Sequence, residues 1–479
     1  MSFTSYSFIL LLLPLSLVIF HQKRLSGQMK QLVLIGSSTV FIASAGFISF
    51  ILGFISIVFN HYACLLMTAP PQQDLEQSVN NCTCDKKVGS DIFLTKRRVI
   101  FWTVVIFDLV ILCLFKYFFS ANVFPLGLSF LTFSELLYLK EVYCDGKTPG
   151  SILDDLAWLG FFARYTQGPI IGSVGNVECK KATYSSSMDW NAFADGITLF
   201  VLGLSKKLLI ADNLAIIVNN AWDCNNLGSL GFVSSWVATL SYSFQLYFDF
   251  SGYSDMAIGI GLMFGMKLPE NFNSPYKSSS ITEFWRRWHM TLGKALTQLV
   301  YIPLGGSRKG IARTCINLLA VMLISGLWHG EGGTFILWGL LNGTIMIVER
   351  LTGLAKKTSW WQRCITFLLV NFLWVVFRAP SISEAGRMFT SMFGLNGAGT
   401  GHFGILANDG IIGWPDIIDT AWIIFLLIVA IVLCCAKKNS NEVYKGFWQR
   451  RNSLFVLPVL FILCFLCLGR GAVFLYQNF

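Results

Sequence analysis

Residues 316–333 read INLLAVMLISGLWHGEGG. An apolar run from Ile316 to Trp328 stops on His329, and Gly330, Glu331, Gly332 and Gly333 follow before the apolar pattern resumes at 334–348. A segment that crosses a bilayer needs about 20 mostly apolar residues. The two runs therefore read as membrane segments joined by a short flexible turn, with a histidine on the last position of the first. The chain has only five histidines, so this one asks for an explanation.

The rest of the chain repeats the pattern. Apolar segments fall at 7–20, 31–66, 99–119, 122–140, 152–172, 194–210, 228–247, 255–266, 315–328, 334–348, 364–377, 420–435 and 453–469. Charged residues make up 13% of the chain, against roughly 25% in a soluble domain, and the mean hydropathy is +0.61. The runs are continuous and do not alternate with period two, which excludes a β-barrel. The expectation is an all-α polytopic membrane protein with about 11–13 membrane helices. No internal repeat and no low-complexity linker interrupts it, so 1–479 reads as a single domain. The run 31–66 is too long for one span and predicts a hairpin, which puts the basic stretch 84–98 in the cytoplasm. The first run, SYSFILLLLPLSLVIFHQKR (5–24), has its charges after the apolar part. It reads as an uncleaved helix with Lys23, Arg24 and Lys30 on the cytoplasmic side, not as a signal peptide. MAIGIGLMFGM (256–266) and ALTQLVYIPLGG (295–306) are too short or too polar to cross alone. Backbone of that kind survives at membrane depth only inside protein or beside a water-filled cavity, so 255–310 reads as a re-entrant region.

The net charge is +10, and between Lys267 and Arg313 eight Lys/Arg meet only Glu270 and Glu283. Positive-inside topology and anionic headgroups of the lipid bilayer account for such a surplus; an anionic donor is the sharper alternative. Nucleic acid is excluded as a partner, because these residues alternate with Trp, Phe and Leu. The thirteen cysteines have no metal-ligand spacing: Cys82/Cys84 and Cys434/Cys435 are too close together and lack histidines. The others read as small core residues, and the sequon at Asn81 is discounted.

Polar chemistry concentrates in 247–310. Asp249, Ser251, Tyr253, Asp255, Asn271, Asn273, Ser274, Tyr276, Arg286, Arg287 and His289 stand there among apolar neighbours. ITEFWRRWHMTL (281–292) predicts one short interfacial helix beginning at Ser280 or Thr282, with Trp285, Trp288 and Leu292 on one face. His329 is the second focus. A charged group at membrane depth costs about 2–3 kcal/mol, so it either hydrogen-bonds a neighbouring helix as a neutral ring or faces a polar cavity with a role. Gly326, Gly330, Gly332 and Gly333 allow close approach of backbone or substrate. No HExxH, GxSxG or Walker loop is present. A histidine base with no protein nucleophile suits direct transfer of an activated acyl group to a hydroxyl.

These residues resemble the membrane-bound O-acyltransferases, in particular the branch of alginate O-acetyltransferases and teichoic-acid D-alanyl transferases. The resemblance runs through LFKYFF (114–119), PLGLSFLTF (125–133), GPI (168–170), GLSKKLLIADNLA (203–215), YFDFSGYSDMAIGIGLMFG (247–265), LPENFNSPYKSSSITEFWRRWHMTL (268–292), YIPLGGSR (301–308), GLWHG (326–330) and VVFRAPSISEAGRMFTSMFG (375–394). It implies a ring of membrane helices, with re-entrant and interfacial helices, around a central tunnel. N-terminal helices would span 1–120, a catalytic core about 121–380 and C-terminal helices 381–479. His329 would be the catalytic base and His289 the second functional histidine. Asn273, Arg286, Trp328 and Glu331 would line substrate or tunnel. The donor would be acetyl-CoA or another cytoplasmic acyl thioester, with no bound cofactor or metal. The acceptor would be an exported polysaccharide or cell-wall glycan, reached directly or through an extracytoplasmic acetyltransferase partner, in the bacterial inner (cytoplasmic) membrane. D-alanyl transfer from a carrier protein, or a flippase or scaffold without chemistry, are the alternatives. The sequence departs from the family pattern at Ala295–Leu299, where a Trp-Phe-Arg-Asp-Tyr run is usual. It departs again at Glu331–Gly333, and at Asn342, where a further histidine is usual. Glu331 would support an imidazolium at His329 if it faced the same cavity, and would be a solvated loop residue otherwise.

Overall fold

The computed structural model describes residues 1–68, 85–119, 124–172, 188–222, 230–356, 358–397, 416–451, 453–469 and 474–475. Asn81, Cys82 and Cys84 lie outside them. Every regular element among the described residues is helical. Five helices there are long and apolar enough to cross a membrane: Phe47–Met67, Leu94–Phe118, Gly310–His329, Gly333–Thr352 and Trp360–Arg378. Shorter apolar helices cover Phe8–Phe20, Thr420–Cys435 and Phe455–Cys467. Large apolar side chains point outward along them, Phe47 at 68% and Phe118 at 78% exposure. Apolar surface on this scale marks a membrane-facing protein, and the chain is a multi-pass membrane protein.

The chain groups into two compact units, one mainly Leu10–Met188, the other Phe3–Ile9 with Asp189–Gln477. In the first unit α1 (Leu13–Phe20) leads to α2 (Gly27–Ala45), capped by the Ser26 hydroxyl, and α3 (Phe47–Met67). The expected hairpin over 31–66 is these two helices, broken at Gly46. Lys30 is buried against the Phe20 ring and is not the solvated flanking charge expected from its position. α4 (Asp85–Cys113), α5 (Leu128–Asp145) and α6 (Ile152–Leu159) complete the unit. α6 starts on a capping box between Ser151 and Asp154, which satisfies two backbone donors at once.

The second unit is built on α7 (Trp190–Ser205), α8 (Asp212–Ala221) and α9 (Phe232–Met263). The runs 228–247 and 255–266 were expected as separate segments. Between Phe232 and Met263 they form one 32-residue helix instead: Gly252 packs against α7, and Asp249 and Asp255 find lysine partners. A Cβ on Gly196 or Gly203 of α7 would lie 2.6 or 2.5 Å from the carbonyls of Gly259 or Gly252 on α9, and the reverse substitutions clash equally. The two helices run antiparallel at backbone contact through these pairs, the small-residue packing that membrane helices use where lipid offers no hydrophobic drive. Short helices α10 (Ile281–Arg287) and α11 (Met290–Leu296) follow. After them come α12 (Gly310–His329), α13 (Gly333–Thr352), α14 (Trp360–Arg378), α15 (Ile382–Met392), α16 (Asp416–Cys435) and α17 (Ser453–Cys467). Of the cysteines expected in the core, Cys64 and Cys464 are buried, but Cys113, Cys144 and Cys364 are exposed. Apolar surroundings in sequence do not distinguish a core face from a lipid face.

Candidate active site

His329 is the last residue of α12 and is 4% exposed. The turn GEGG reverses the chain, and α13 returns along α12. A Cβ on Gly326 would lie 2.3 Å from the Phe335 carbonyl, and one on Gly339 2.5 Å from that of Met322. Gly330 faces the Phe335 ring at 2.3 Å in the same sense. The glycines at 326 and 330 are thus taken up by the hairpin and do not open space for a substrate. Around the imidazole stand three aromatic rings: Trp328 at 4.7 Å between centroids, Phe377 at 5.0 Å and Trp338 at 5.4 Å, the last two edge-on. Glu331 is exposed on the turn.

The expected single helix over 281–292 is two helices. α10 is capped by Ser280, whose hydroxyl accepts from the Glu283 N–H, and ends at Arg287. Trp288 is extended and His289 takes the left-handed conformation, φ +44°, before α11 starts. For a non-glycine residue that conformation costs roughly 1–2 kcal/mol, and such strain gathers at functional sites. Asn271 holds it in place. The Met290 N–H donates to the Asn271 carbonyl at 2.9 Å, and the Asn271 Oδ1 accepts from the Thr291 N–H at 3.2 Å and the Thr291 hydroxyl at 3.0 Å. His289 Nδ1 lies 3.0 Å from the same oxygen. A backbone N–H can only donate, so this atom of Asn271 is the acceptor, and Nδ1 of His289 must carry the proton. That leaves Nε2 as the ring's lone pair. Burial pushes the His289 imidazole from its ordinary value down to about 3, so it is neutral.

His289 packs edge-on against Phe250 of α9 at 4.7 Å and lies 6.2 Å from the Trp328 ring, whose other neighbour is His329. The Trp328 ring therefore neighbours both histidines. Trp338 ties this cluster to α10. It meets Trp285 edge-on at 5.3 Å, and the Trp285 indole N–H donates to Asn342 Oδ1 at 2.9 Å. Asn342, standing where the family usually has a histidine, thus serves the tryptophan lattice. One turn beyond Met346, the Glu349 carboxylate accepts from the Ile281 N–H at 2.6 Å, the Thr282 N–H at 2.9 Å and the Thr282 hydroxyl at 2.8 Å. It caps α10 from another helix. Sequence reading missed Asn271 and Glu349 as positioning groups. Asn271 had no local signal, being eighteen residues from its partner, whereas Glu349 was findable as a lone acid in an apolar helix.

Arg286 and Asn273 are exposed. Asn273 is instead part of a brace: its N–H donates to the Arg287 carbonyl at 2.9 Å, and its Oδ1 accepts from Asn439 at 3.2 Å. Arg287 pairs with Glu283 at 2.8 Å. Burial alone would raise Glu283, but hydrogen bonds from Ser279 and the Arg287 charge hold it below its ordinary value. Lys267, Lys294, Arg308 and Lys309 are exposed with Arg286, basic residues on α10 and α11 and on the segments flanking them. Residues 295–299 finish α11 and enter a π turn, Thr297–Tyr301. Two buried imidazoles in an aromatic setting can take up a proton and can hydrogen-bond developing charge, and both effects are stronger there than in water.

The family model described as MBOAT, membrane-bound O-acyltransferase family, matches residues 7–383. A peptidoglycan O-acetyltransferase of Helicobacter pylori is 36% identical over 400 residues, 74% of this chain and 75% of that protein. A probable alginate O-acetylase AlgI of Pseudomonas putida is 42% identical over 274 residues, 56% of this chain and 55% of the other. A teichoic acid D-alanyltransferase of Bacillus subtilis is 29% identical over 234 residues, 46% of this chain and 58% of the other.

Proposed function

The chain belongs to the membrane-bound O-acyltransferase family, and from that premise we propose that it carries an acetyl group from a cytoplasmic thioester, acetyl-CoA in the first instance, to hydroxyls of an exported polysaccharide or cell-wall glycan. It is an acyltransferase, and the reading concerns which acyl group moves and by which residues. One observation carries the assignment of the base: an ionisable ring, His329, is buried at the end of a membrane-length helix and caged by Trp328, Trp338 and Phe377. His329 removes the proton from the acceptor hydroxyl as that oxygen attacks the thioester carbonyl. The tetrahedral centre collapses, the C–S bond breaks, and the thiolate leaves with the proton returned from the imidazole. His289, fixed as the Nδ1–H tautomer by Asn271, offers its Nε2 lone pair to a hydroxyl or thiol proton and orients the reactant that carries it. Acetyl is favoured over D-alanyl because the O-acetylating relatives are more identical over longer stretches. The enzyme would sit in a bacterial cytoplasmic membrane and reach the glycan directly or through an extracytoplasmic partner.

The test is mass spectrometry of the surface glycans of cells carrying wild type or His329→Ala, with membrane levels of the protein matched. O-acetyl groups are expected to fall to background in the variant, a loss of at least the 10²-fold typical of removing a general base. Normal acetylation in the variant would refute the role of His329, and D-alanyl esters lost in place of acetyl esters would refute the donor.

A further inference from the structure

Unit 1 holds a second group of buried ionisable side chains that the acyl-transfer reading does not use. On α3, Ser56 and Asn60 stand one turn apart. The Ser56 hydroxyl donates to Glu135 Oε2 of α5 at 2.8 Å, and the Asn60 amide donates to Asp108 Oδ1 of α4 at 3.3 Å and to the Ser56 carbonyl at 3.1 Å. Glu135 is 1% exposed, Asp108 4% and Asn60 0%. The two carboxyl groups are close enough to act on each other electrostatically. Each is offered one neutral donor, and neither forms an ion pair with a Lys, Arg or His among the described residues. Glu135 Oε1, Asp108 Oδ2 and Asn60 Oδ1 are all buried and have no hydrogen-bond partner.

Other titratable groups close the neighbourhood. His61 Nδ1 lies 2.7 Å from Asp155 Oδ2, the same oxygen that accepts from the Tyr138 hydroxyl at 2.7 Å. Cys64 hydrogen-bonds Tyr138, and Tyr165 lies within electrostatic reach of Glu135. Asp155 thus has the His61 ring beside it, whereas Asp108 and Glu135 have no Lys, Arg or His partner among the described residues. Two carboxylates ionised side by side in such a setting are prohibitively costly. Three buried oxygen acceptors left open on residues tied to one turn of α3 call for something that acceptors cannot supply, a positive charge.

We propose that Asp108 and Glu135, flanked by Ser56 and Asn60, form a buried cation site that holds a proton between the two carboxyl groups at neutral pH. The oxygen count decides for a proton over a metal cation. Only three oxygens are open, and the backbone carbonyls of these turns are engaged within their helices. Hard metal cations collect about six or more oxygens, whereas a proton needs one oxygen to carry it and one to accept it. Chains of Asp, Glu and His inside membrane helices are the usual material of proton sites.

The experiment is infrared spectroscopy of the full-length protein in lipid nanodiscs at neutral pH, first in choline chloride and then in sodium chloride. The C=O stretch of a protonated carboxylic acid is expected in the wild type, shifted in D₂O and indifferent to sodium. Asp108→Asn combined with Glu135→Gln should abolish that band, and either single substitution should displace it. Absence of the band in the wild type, its persistence unshifted in the variants, or its loss on adding sodium would each overturn the proposal. Asparagine and glutamine imitate the neutral acids in shape. The single variants also keep one carboxyl group, so the measurement survives if the double variant folds poorly. Acetyl transfer is not the readout, so this result stands or falls apart from the assignment of His329.

Discussion

At the scale of single residues, the state of His289 is written by one oxygen atom. Asn271 Oδ1 receives the Thr291 N–H, and this makes Nδ1 of His289 a donor and Nε2 the lone pair. Asparagine is neutral, so it fixes the tautomer without favouring the charged ring, and burial keeps the imidazole near 3. Aspartate at 271 would accept the same hydrogen bonds but stabilise the imidazolium, raising its pKa by about 1–3 units. Asn271→Asp is therefore expected to preserve folding and to move the acid limb of the pH–rate profile upward. His289 would then be protonated, its Nε2 lone pair filled, at pH values where the wild-type ring is neutral. Asn271→Ala should lower kcat across the whole profile with no such displacement. An unmoved acid limb in Asn271→Asp would leave Asn271 with a packing role only.

At the scale of elements, the site depends on two placements, the α12–α13 hairpin and the cap on α10. The hairpin closes at backbone contact, so Gly326→Ala, with its Cβ 2.3 Å from the Phe335 carbonyl, must part the helices. Overpacking of this kind costs about 1–3 kcal/mol, and the shift moves His329. Gly386 of α15 has nothing within 4 Å of its Cβ position. Gly386→Ala should be neutral or stabilise by up to about 1 kcal/mol through helix propensity. Thermal unfolding in detergent and acetyl-transfer rates should separate the two substitutions, and equal effects would mean that the close approach is unimportant. The cap is tested at Glu349. Glu349→Gln keeps an acceptor and loses the charge that complements the α10 N-terminus, costing about 1 kcal/mol. Glu349→Leu strands the buried Ile281 N–H and the half-buried Thr282 N–H, the first worth about 1–3 kcal/mol. A larger loss of stability in the leucine variant, with Trp285 fluorescence altered in both, is the expected result. Indistinguishable variants would refute the capping account.

At the scale of the whole molecule, the sequence disclosed the class of fold and the two histidines, because apolar length and rare ionisable residues are properties of single stretches. It did not disclose that Phe232–Met263 is one helix, that 281–292 is broken, or that Asn273 and Arg286 are exposed. Those outcomes depend on partners far along the chain: Asn271 for His289, Asn439 for Asn273, Asp249 for Lys207. The last pairing organises the second unit. Lys207, 1% exposed, lies 2.6 Å from Asp249 and 2.8 Å from Asp212, with its ammonium 4.3 Å from the Phe474 ring, and the Leu475 N–H donates to the other Asp249 oxygen at 2.9 Å. Lys206 pairs with Asp255 one helical step away, at 2.6 Å. The GLSKKLLIADNLA motif is thus an ionic fastening of α7 and α8 to α9. Removing one member of a buried pair leaves the other charge uncompensated, at a cost of about 3–5 kcal/mol. Lys207→Met should be the most damaging change because it strands two aspartates. Asp249→Leu strands one lysine that still has Asp212. Replacing both members leaves Asp212 as the one uncompensated partner, so Lys207→Met with Asp249→Leu should cost clearly less than the sum of the single variants. The double-mutant cycle, read from thermal unfolding in nanodiscs, is expected to show a coupling of about 1–3 kcal/mol. Simple additivity would mean that the fastening is packing and that the charges contribute nothing beyond it.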